Sequence, residues 1–468
     1  MKLIYCIHSL YNPGGMERVL LNKVMWFSEH TDWEIVIMEE KKYTADGMNI
    51  EVDKYEDEKI RERRIMAYAF KMVREESGMN RKEFAEWLGI PYRTMQEWEL
   101  GRRTMPKYVF DLIVYKDGQC VLRHMGGYAD RDNKIPMQGK EKYHIYSCSK
   151  LFTCVAAMQL WEKGMFSLED NVADYLPAFR EMTVKTETGI KKAENPIKIH
   201  HLFEMTAGLN YDLQTPALQA YYEACDRRCP TVELVNEIAK APLEFEPGTG
   251  WLYSLCHDVL GALVEVVSGE KFENYVKTHI FEPLGMENSD FLHPVADWDG
   301  FARQFCYNSV TGEFEPNWKN AYRPGREYAS GGAGCVSTVE DYIKFLEALR
   351  VGDVILKKET IAMMSTDRLT EEQRQMFTYD KIANGYGLGL RTSRLDPTWT
   401  EFGWGGAAGA FASVDPINNV TFYYAQHVLN SPVRPLRAWL YRTVRADLLG
   451  EQIDVPLLEE DDNPSLTY

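Results

Sequence analysis

Between Leu151 and Trp161 the apolar residues Leu151, Phe152, Val155, Ala156, Met158, Leu160 and Trp161 fall on nearly every side of a helical wheel. A helix that is apolar all round predicts burial on most of its sides. Other stretches carry a strand pattern. "FDLIVYKDGQCVLRHMGGYAD" predicts a hairpin, with one strand, a turn at Lys116-Asp117-Gly118 and a second strand. Tyr108 to Val114 also fits the end of a preceding helix, and one stretch cannot be both. "NVTFYYAQ", after a turn at Asp415-Pro416, predicts a further strand.

The front of the chain reads differently. "KLIYCI" and "WEIVIM" predict strands on either side of the "YNPGG" turn and the helix "MERVLLNKVMWFSEH". Three short helices follow in "RIMAYAFKMVREESGM", "NRKEFAEWLG" and "IPYRTMQEWELGRRTMP". Asn80 is placed as an N-cap and Gly89 as a stop, and the junction at Gly89, Ile90 and Pro91 gives a helix-turn-helix pattern. The expected domains are therefore a β-α-β fragment over 1–55, a helical segment over 58–108, a large α+β domain over 109–450 and an acidic flexible tail over 451–468.

Composition narrows the function classes. The 468 residues are 45% hydrophobic and 26% charged, ordinary for a globular protein, and no run approaches the ~18 apolar residues of a membrane span. No signal peptide is read at the N-terminus, and no membrane partner is expected. Nine scattered cysteines fit reduced thiols and a cytoplasmic location. Cys225 and Cys229 in "EACDRRCP" resemble half of a metal site, but no second pair completes four ligands, so no metal is expected. The net charge of −17 argues against a general nucleic-acid binder. Residues 61–107 are locally basic, with eleven Lys and Arg against seven Glu.

The candidate chemistry begins at "IYSCSK". Ser147 precedes Lys150 by three residues, one helical turn, so both share a face; Ser149 has no such relation and fits helix-start chemistry or packing. Burial lowers a lysine's pKa and makes its neutral amine available as a base, and the helix start offers backbone N–H groups to a developing negative charge. The same spacing recurs at Ser268 and Lys271, where a turn and a surface helix are expected. Tyr253 stands just before an apolar helix in "GWLYSLCHDVLGALVEVVSG"; taken by itself it fits a core aromatic, while beside a serine and a lysine it can relay a proton. In "FGWGGAAGAFASVDP" the glycines weaken a strand unless another group must approach the backbone, and a substrate acyl group would be such a visitor.

Three segments carry family resemblances. Residues 1–52 resemble the truncated opening of a two-Rossmann-domain glycosyltransferase, with Gly14 and Gly15 as its first glycine loop; without the later parts, no transferase activity is expected. Residues 58–108 resemble the helix-turn-helix domains of Cro-type bacterial regulators, in which Tyr92, Arg93, Thr94 and Gln96 would start the recognition helix and touch DNA.

From about Asp111 to Leu449 the chain resembles the serine β-lactamase and penicillin-binding superfamily, of the class C and carboxylesterase type. The motifs come in order as Ser147-x-x-Lys150, Tyr253-Ser254 and Trp404-Gly405-Gly406, and "HLFEMTAGL", "FEPLGMENSDF", "GGAGCVSTVEDYIKFLEAL" and "GYGLGL" match as well. The resemblance implies an antiparallel sheet flanked by helices, with the site between the sheet and an all-helical lobe. It implies Ser147 as nucleophile, Lys150 as base, Tyr253 as proton relay and the N–H groups of Ser147 and Ala407 as oxyanion hole. Trp404, Gly405 and Gly406 would form the substrate strand, with no cofactor.

Penicillin-recognising members usually have Lys-Thr-Gly where Trp404 begins the last motif, and an Asn where Leu255 stands. These departures point to an ester with an uncharged acyl group. Small esters or amides are the expected partners. A β-lactamase or D-amino-acid peptidase is the alternative within the class, and a DNA-binding regulator with a hydrolase-derived sensor domain is the alternative outside it. The family also places a helix before its first strand, where helix-turn-helix text stands here; if nothing replaces that helix, apolar sheet surface is left exposed.

Overall fold

The computed structural model describes residues 110–450 except 132, 295–296, 312, 380–382, 395–399 and 432–435, together with 2–7, 34–39, 80–83, 92–93, 96 and 100. The chain divides between Pro106 and Lys107 into two compact units.

In the first unit, β1 (Lys2–Ile7) and β2 (Glu34–Glu39) pair in parallel, from Lys2 opposite Glu34 to Ile7 opposite Glu39. Parallel neighbours need a crossover between them, and the helix expected there lies outside the described residues, as do Gly14, Gly15 and the stop at Gly89. Asn80 caps its helix: its Oδ1 accepts from the N–H groups of Lys82 and Glu83 at 2.9 and 3.1 Å, and Glu83 Oε2 accepts from the Asn80 N–H at 2.8 Å. Tyr92, Arg93 and Gln96 are helical and the first two are exposed; Thr94 lies outside the described residues.

The second unit is an antiparallel sheet flanked by helices, the fold class expected. Its strands are β3 (Phe110–Lys116), β4 (Gln119–Gly126), β5 (Asn384–Tyr386), β6 (Arg391–Ser393), β7 (Phe402–Gly405), β8 (Phe411–Asp415) and β9 (Val420–Gln426), in the order β5-β6-β7-β8-β9-β3-β4. Over Phe110 to Val114 the sheet prevails, since β3 pairs with both β4 and β9 from Phe110 onward; Tyr108 and Val109 lie outside the described residues. The hairpin turn falls at Asp117 and Gly118, both with φ above +50°.

Six helices matter for the site: α1 (Ser149–Glu162), α2 (Pro216–Ala224), α3 (Thr231–Ile238), α4 (Cys256–Ser268), α5 (Val339–Val351) and α6 (Leu436–Leu449). Residues Ser149–Met158 of α1 are all buried, as the unbroken apolar wheel requires. Packed around them are α4 and the aromatic rings of Phe281, Phe291, Tyr342 and Phe345, all within 6.4 Å of the Phe152 ring centroid.

The sheet alternates with the period of two that a strand imposes. Ile113, Ala412, Val414 and Tyr423 face this core; Leu112, Val114, Phe411, Phe422 and Tyr424 face the other way, against Tyr441, Leu440 and Val444 of α6. The exposed apolar face expected from the front of the chain is therefore covered over β8 and β9 by a helix from the other end. At the β4 margin Leu122 packs against the same cluster and Val121 is 48% exposed.

A buried ion pair ties α6 to the sheet. Arg445 Nε donates to Asp415 Oδ2 at 3.0 Å, with the side chains 1% and 0% exposed. Removing the cation strands a buried carboxylate, so Arg445→Met should lose about 3 kcal/mol in urea denaturation. A loss below ~1 kcal/mol would show that the pair adds little net stability.

Candidate active site

Ser147 lies in a single 3-10 turn, Tyr146–Cys148, that runs straight into α1. Tyr146 has φ of 47°, in the left-handed region, where a bulky residue costs on the order of 1–3 kcal/mol. Its surroundings hold it there. Tyr146 is buried, its Oη donates to Gln304 Oε1 at 2.8 Å, and its ring meets Tyr322 edge-on at 5.9 Å. The turn aims Ser147 into a cavity lined by Tyr211, Tyr253, Tyr322, Tyr379, Trp404 and Ala407.

One turn along, Lys150 is fully buried. Its Nζ donates to Gly332 O at 2.8 Å, Tyr211 Oη at 3.2 Å and Ser147 Oγ at 3.4 Å, and lies 4.6 Å from the centroid of the Tyr253 ring. Burial lowers the ammonium's pKa from 10.5 to about 8, against an opposing pull from Asp258. Tyr253 Oη is 2.7 Å from Ser147 Oγ. Trp404 stacks on the Tyr253 ring at 5.6 Å, and its indole N–H donates to Tyr253 Oη at 3.4 Å.

The structure thus brings Ser147, Lys150, Tyr253, Trp404, Gly405 and Ala407 to one place. Gly406 is not among the cavity-lining residues. The glycines also answer to visitors other than the one expected. A Cβ on Gly405 would stand 2.6 Å from an Arg437 nitrogen, and one on Gly406 would overlap the Ile145 carbonyl oxygen. The close approach at Gly406 packs β7 against the turn that carries Ser147. Ser149 serves packing, its Oγ accepting from the Cys335 N–H at 3.0 Å. Ser268 ends α4 and Lys271 pairs with Glu265 at the surface, so this second copy of the spacing is not part of the site.

Sequence reasoning missed several partners. Tyr211, two residues beyond the "HLFEMTAGL" phrase, carried no signal that singled it out. Asp258 is 1% exposed; its Oδ1 accepts from Tyr328 Oη at 2.7 Å and Ser330 Oγ at 2.6 Å, while Oδ2 has no hydrogen-bond partner among the described residues. A Cβ on Gly332 would overlap that Oδ2 and stand 3.2 Å from Lys150 Nζ, so the glycine lets carboxylate and ammonium flank one backbone position. Arg391 and Arg437 also border the cavity, so the missing lysine does not leave it without positive charge. Both are engaged: Arg437 Nη1 donates to Gly406 O and Ala410 O at 2.9 Å, and Arg391 Nη1 reaches Glu401 Oε1 at 3.3 Å.

Residues 109–446 match the family model described as Beta-lactamase. The chain belongs to the beta-lactamase family. It is 30% identical over 307 residues to Esterase EstB from Burkholderia gladioli, covering 61% of this chain and 74% of that protein. Lovastatin esterase from Penicillium rubens is 28% identical over 356 residues, covering 67% of this chain and 86% of that one. The solved structure of EstCE1, a hydrolase with promiscuous acyltransferase activity, matches with a TM-score of 0.59 at 26% identity, over 76% of this chain and 97% of its own. This beta-lactamase family member is a serine hydrolase. Among the described residues no helix is long and apolar enough to cross a membrane, and no group of three or more His, Cys, Asp or Glu is arranged to hold a metal ion.

The buried lysine carries a stability cost with a defined pH dependence. Its folded pKa, about 8, lies below its ordinary 10.5, so the unfolded chain binds the extra proton between those values and stability rises with pH across that window. Below pH 8 the full penalty applies, about 3 kcal/mol. Urea midpoints for the parent and Lys150→Met should therefore differ in the variant's favour by more at pH 7 than at pH 10. A difference independent of pH would mean that the ammonium is not desolvated.

Proposed function

We propose that this beta-lactamase family enzyme is a carboxylesterase, or acyl hydrolase, working through an acyl-enzyme on Ser147. The observation that carries the reading is the contact of Ser147 Oγ with both Tyr253 Oη, at 2.7 Å, and Lys150 Nζ, at 3.4 Å, at the edge of a cavity. The Oγ attacks the ester carbonyl while its proton passes to the neutral Lys150 amine, and Tyr253 carries a proton on to the leaving alkoxide. The N–H groups of Ser147 and Ala407 hold the oxyanion. Water then repeats the sequence on the acyl-serine and frees the acid.

Trp404 in place of a lysine and Leu255 in place of an asparagine favour esters over lactams, and the relatives named as esterases support the same choice. The aromatic wall of Tyr211, Tyr322, Tyr379 and Trp404 suits an apolar acyl or alcohol group.

Ser147 of the parent should be labelled by a fluorophosphonate probe and should release p-nitrophenol from p-nitrophenyl acetate much faster than it opens nitrocefin. Ser147→Ala should lose both labelling and turnover. Equal turnover by that variant removes the acyl-enzyme, and nitrocefin turnover matching that of the ester removes the ester preference.

The pH profile tests the base. With Lys150 at about 8, log kcat/KM should climb by about one per pH unit below that value and flatten above it. Asp258 raises the lysine's pKa, so Asp258→Asn should move the inflection to lower pH. An unmoved inflection in a folded variant would leave Asp258 a purely structural role.

A further inference from the structure

Cys225 follows α2 directly, and Cys229 comes four residues later. Three residues of this short loop, Asp226, Arg227 and Cys229, have φ between 51° and 52°. The coil they make returns the second sulfur to the first, with the two Sγ atoms 3.3 Å apart and both residues thiols. A disulfide spans about 2.05 Å, so closing this pair asks for a shift of roughly 1.3 Å.

Neighbouring chain keeps the loop in place. Arg227 O accepts from the Arg326 N–H at 2.9 Å, Arg228 O accepts from the Glu327 N–H at 2.8 Å, and the Arg228 guanidinium holds Glu327 through two bonds of 2.7 and 2.9 Å. A Cβ on Gly325 would stand 2.5 Å from Cys229 Cβ, so that position admits the cysteine only as glycine.

We propose that Cys225 and Cys229 are a redox-active dithiol, a modification site separate from the Ser147 cavity, which closes to an intramolecular disulfide by exchange with a small-molecule disulfide such as glutathione disulfide. Their unequal surroundings assign the roles. Cys225 is half-buried and Cys229 fully buried. Burial pushes the Cys225 thiol up, but the Cys229 thiol and the backbone N–H groups of Cys229, Arg228 and Cys225 outweigh it and leave Cys225 below the usual thiol value. Burial, and then the Cys225 sulfur itself, push Cys229 up to about 12.

Cys225 is therefore the attacking thiolate and Cys229 the resolving thiol. The Cys225 thiolate attacks one sulfur of glutathione disulfide, forming a mixed disulfide and expelling one glutathione thiolate. With the Cys225 charge gone, part of what held the proton on Cys229 is gone too. Cys229 gives its proton to solvent, bonds to the Cys225 sulfur and expels the second glutathione thiolate. The two protein thiols lose two electrons and two protons, and glutathione disulfide is reduced to two glutathiones.

The full-length protein, equilibrated under native conditions with glutathione disulfide, denatured in excess alkylating agent and mapped by mass spectrometry, decides the matter. The segment spanning 225–229 should be unalkylated and two hydrogens lighter than the reduced segment, and dithiothreitol should reverse this. In Cys229→Ser the reaction should stop at a glutathione adduct on Cys225. Alkylation of both cysteines in the treated parent, or a glutathione adduct persisting on its Cys225, would overturn the assignment. Because the parent alone gives these readings, poor folding of a serine variant does not blur the result.

Discussion

Lys150 places an ammonium at the head of a helix whose first ten residues are all buried, with neutral hydrogen-bond acceptors around it: the Gly332 carbonyl, the Tyr211 hydroxyl and the Ser147 hydroxyl. Desolvating a charge without an adjacent counter-charge is among the costliest things a core can do. The rest of the site can be understood as the means of holding that charge. Ser147 is supplied by the strained Tyr146 turn, Tyr211 by a loop of the helical lobe, and Gly332 by the segment leading to α5. The rings of Tyr211 and Tyr253, with centroids at 5.2 and 4.6 Å, present aromatic surface to the cation. Loss of one acceptor strands a buried donor, so these three parts of the chain are coupled through a single nitrogen.

The counter-charge stands one backbone step away. Asp258 is fixed by Tyr328 and Ser330, both from the segment that presents the Gly332 carbonyl. One carboxylate therefore acts on Lys150 in two ways, through its field and by holding the loop that supplies the lysine's shortest hydrogen bond. A carboxylate in direct contact would keep the lysine protonated far above neutrality. One placed behind Gly332 only moderates the desolvation and leaves the pKa close to the working range of a base.

How much of this was readable from sequence follows from how local each contact is. Ser147 and Lys150 are three residues apart, across a 3-10 turn that continues into α1, and their spacing alone aligns them. The core strands and the all-round burial of α1 were readable for the same reason, since patterns of two and 3.6 residues are local. Tyr253 and Trp404 lie more than a hundred residues from Ser147; their local sequence made them candidates, and the ordered family motifs joined them to Ser147. Asp258 and Gly332 lay inside quoted phrases, yet their roles stayed hidden: nothing along the chain shows that a carboxylate from α4 and a glycine before α5 meet beside Lys150. At Gly405 and Gly406 the pattern shows that something must come close to the backbone, but not everything that does. Arg437 and the Ile145 carbonyl are among those neighbours.

Trp404 alters the site by what it adds as well as by the lysine it replaces. A lysine at this position would bring a second ammonium near Lys150 and would need an anionic partner of its own. The indole instead lies flat on Tyr253 and directs its single N–H to the phenol oxygen. With Ser147 Oγ 2.7 Å away, Tyr253 Oη is held from two sides, and its ring is clamped between Trp404 and Tyr211, whose plane is inclined by only 16° at 5.6 Å. A side chain that must relay a proton gains more from a fixed oxygen position than from an extra charge, because transfer falls steeply with misplacement. The substitution thus exchanges an electrostatic handle on an anionic substrate for an aromatic stack that fixes the Tyr253 hydroxyl, the group proposed above to carry the proton. That exchange suits esters, in which no carboxylate beside the scissile bond has to be held.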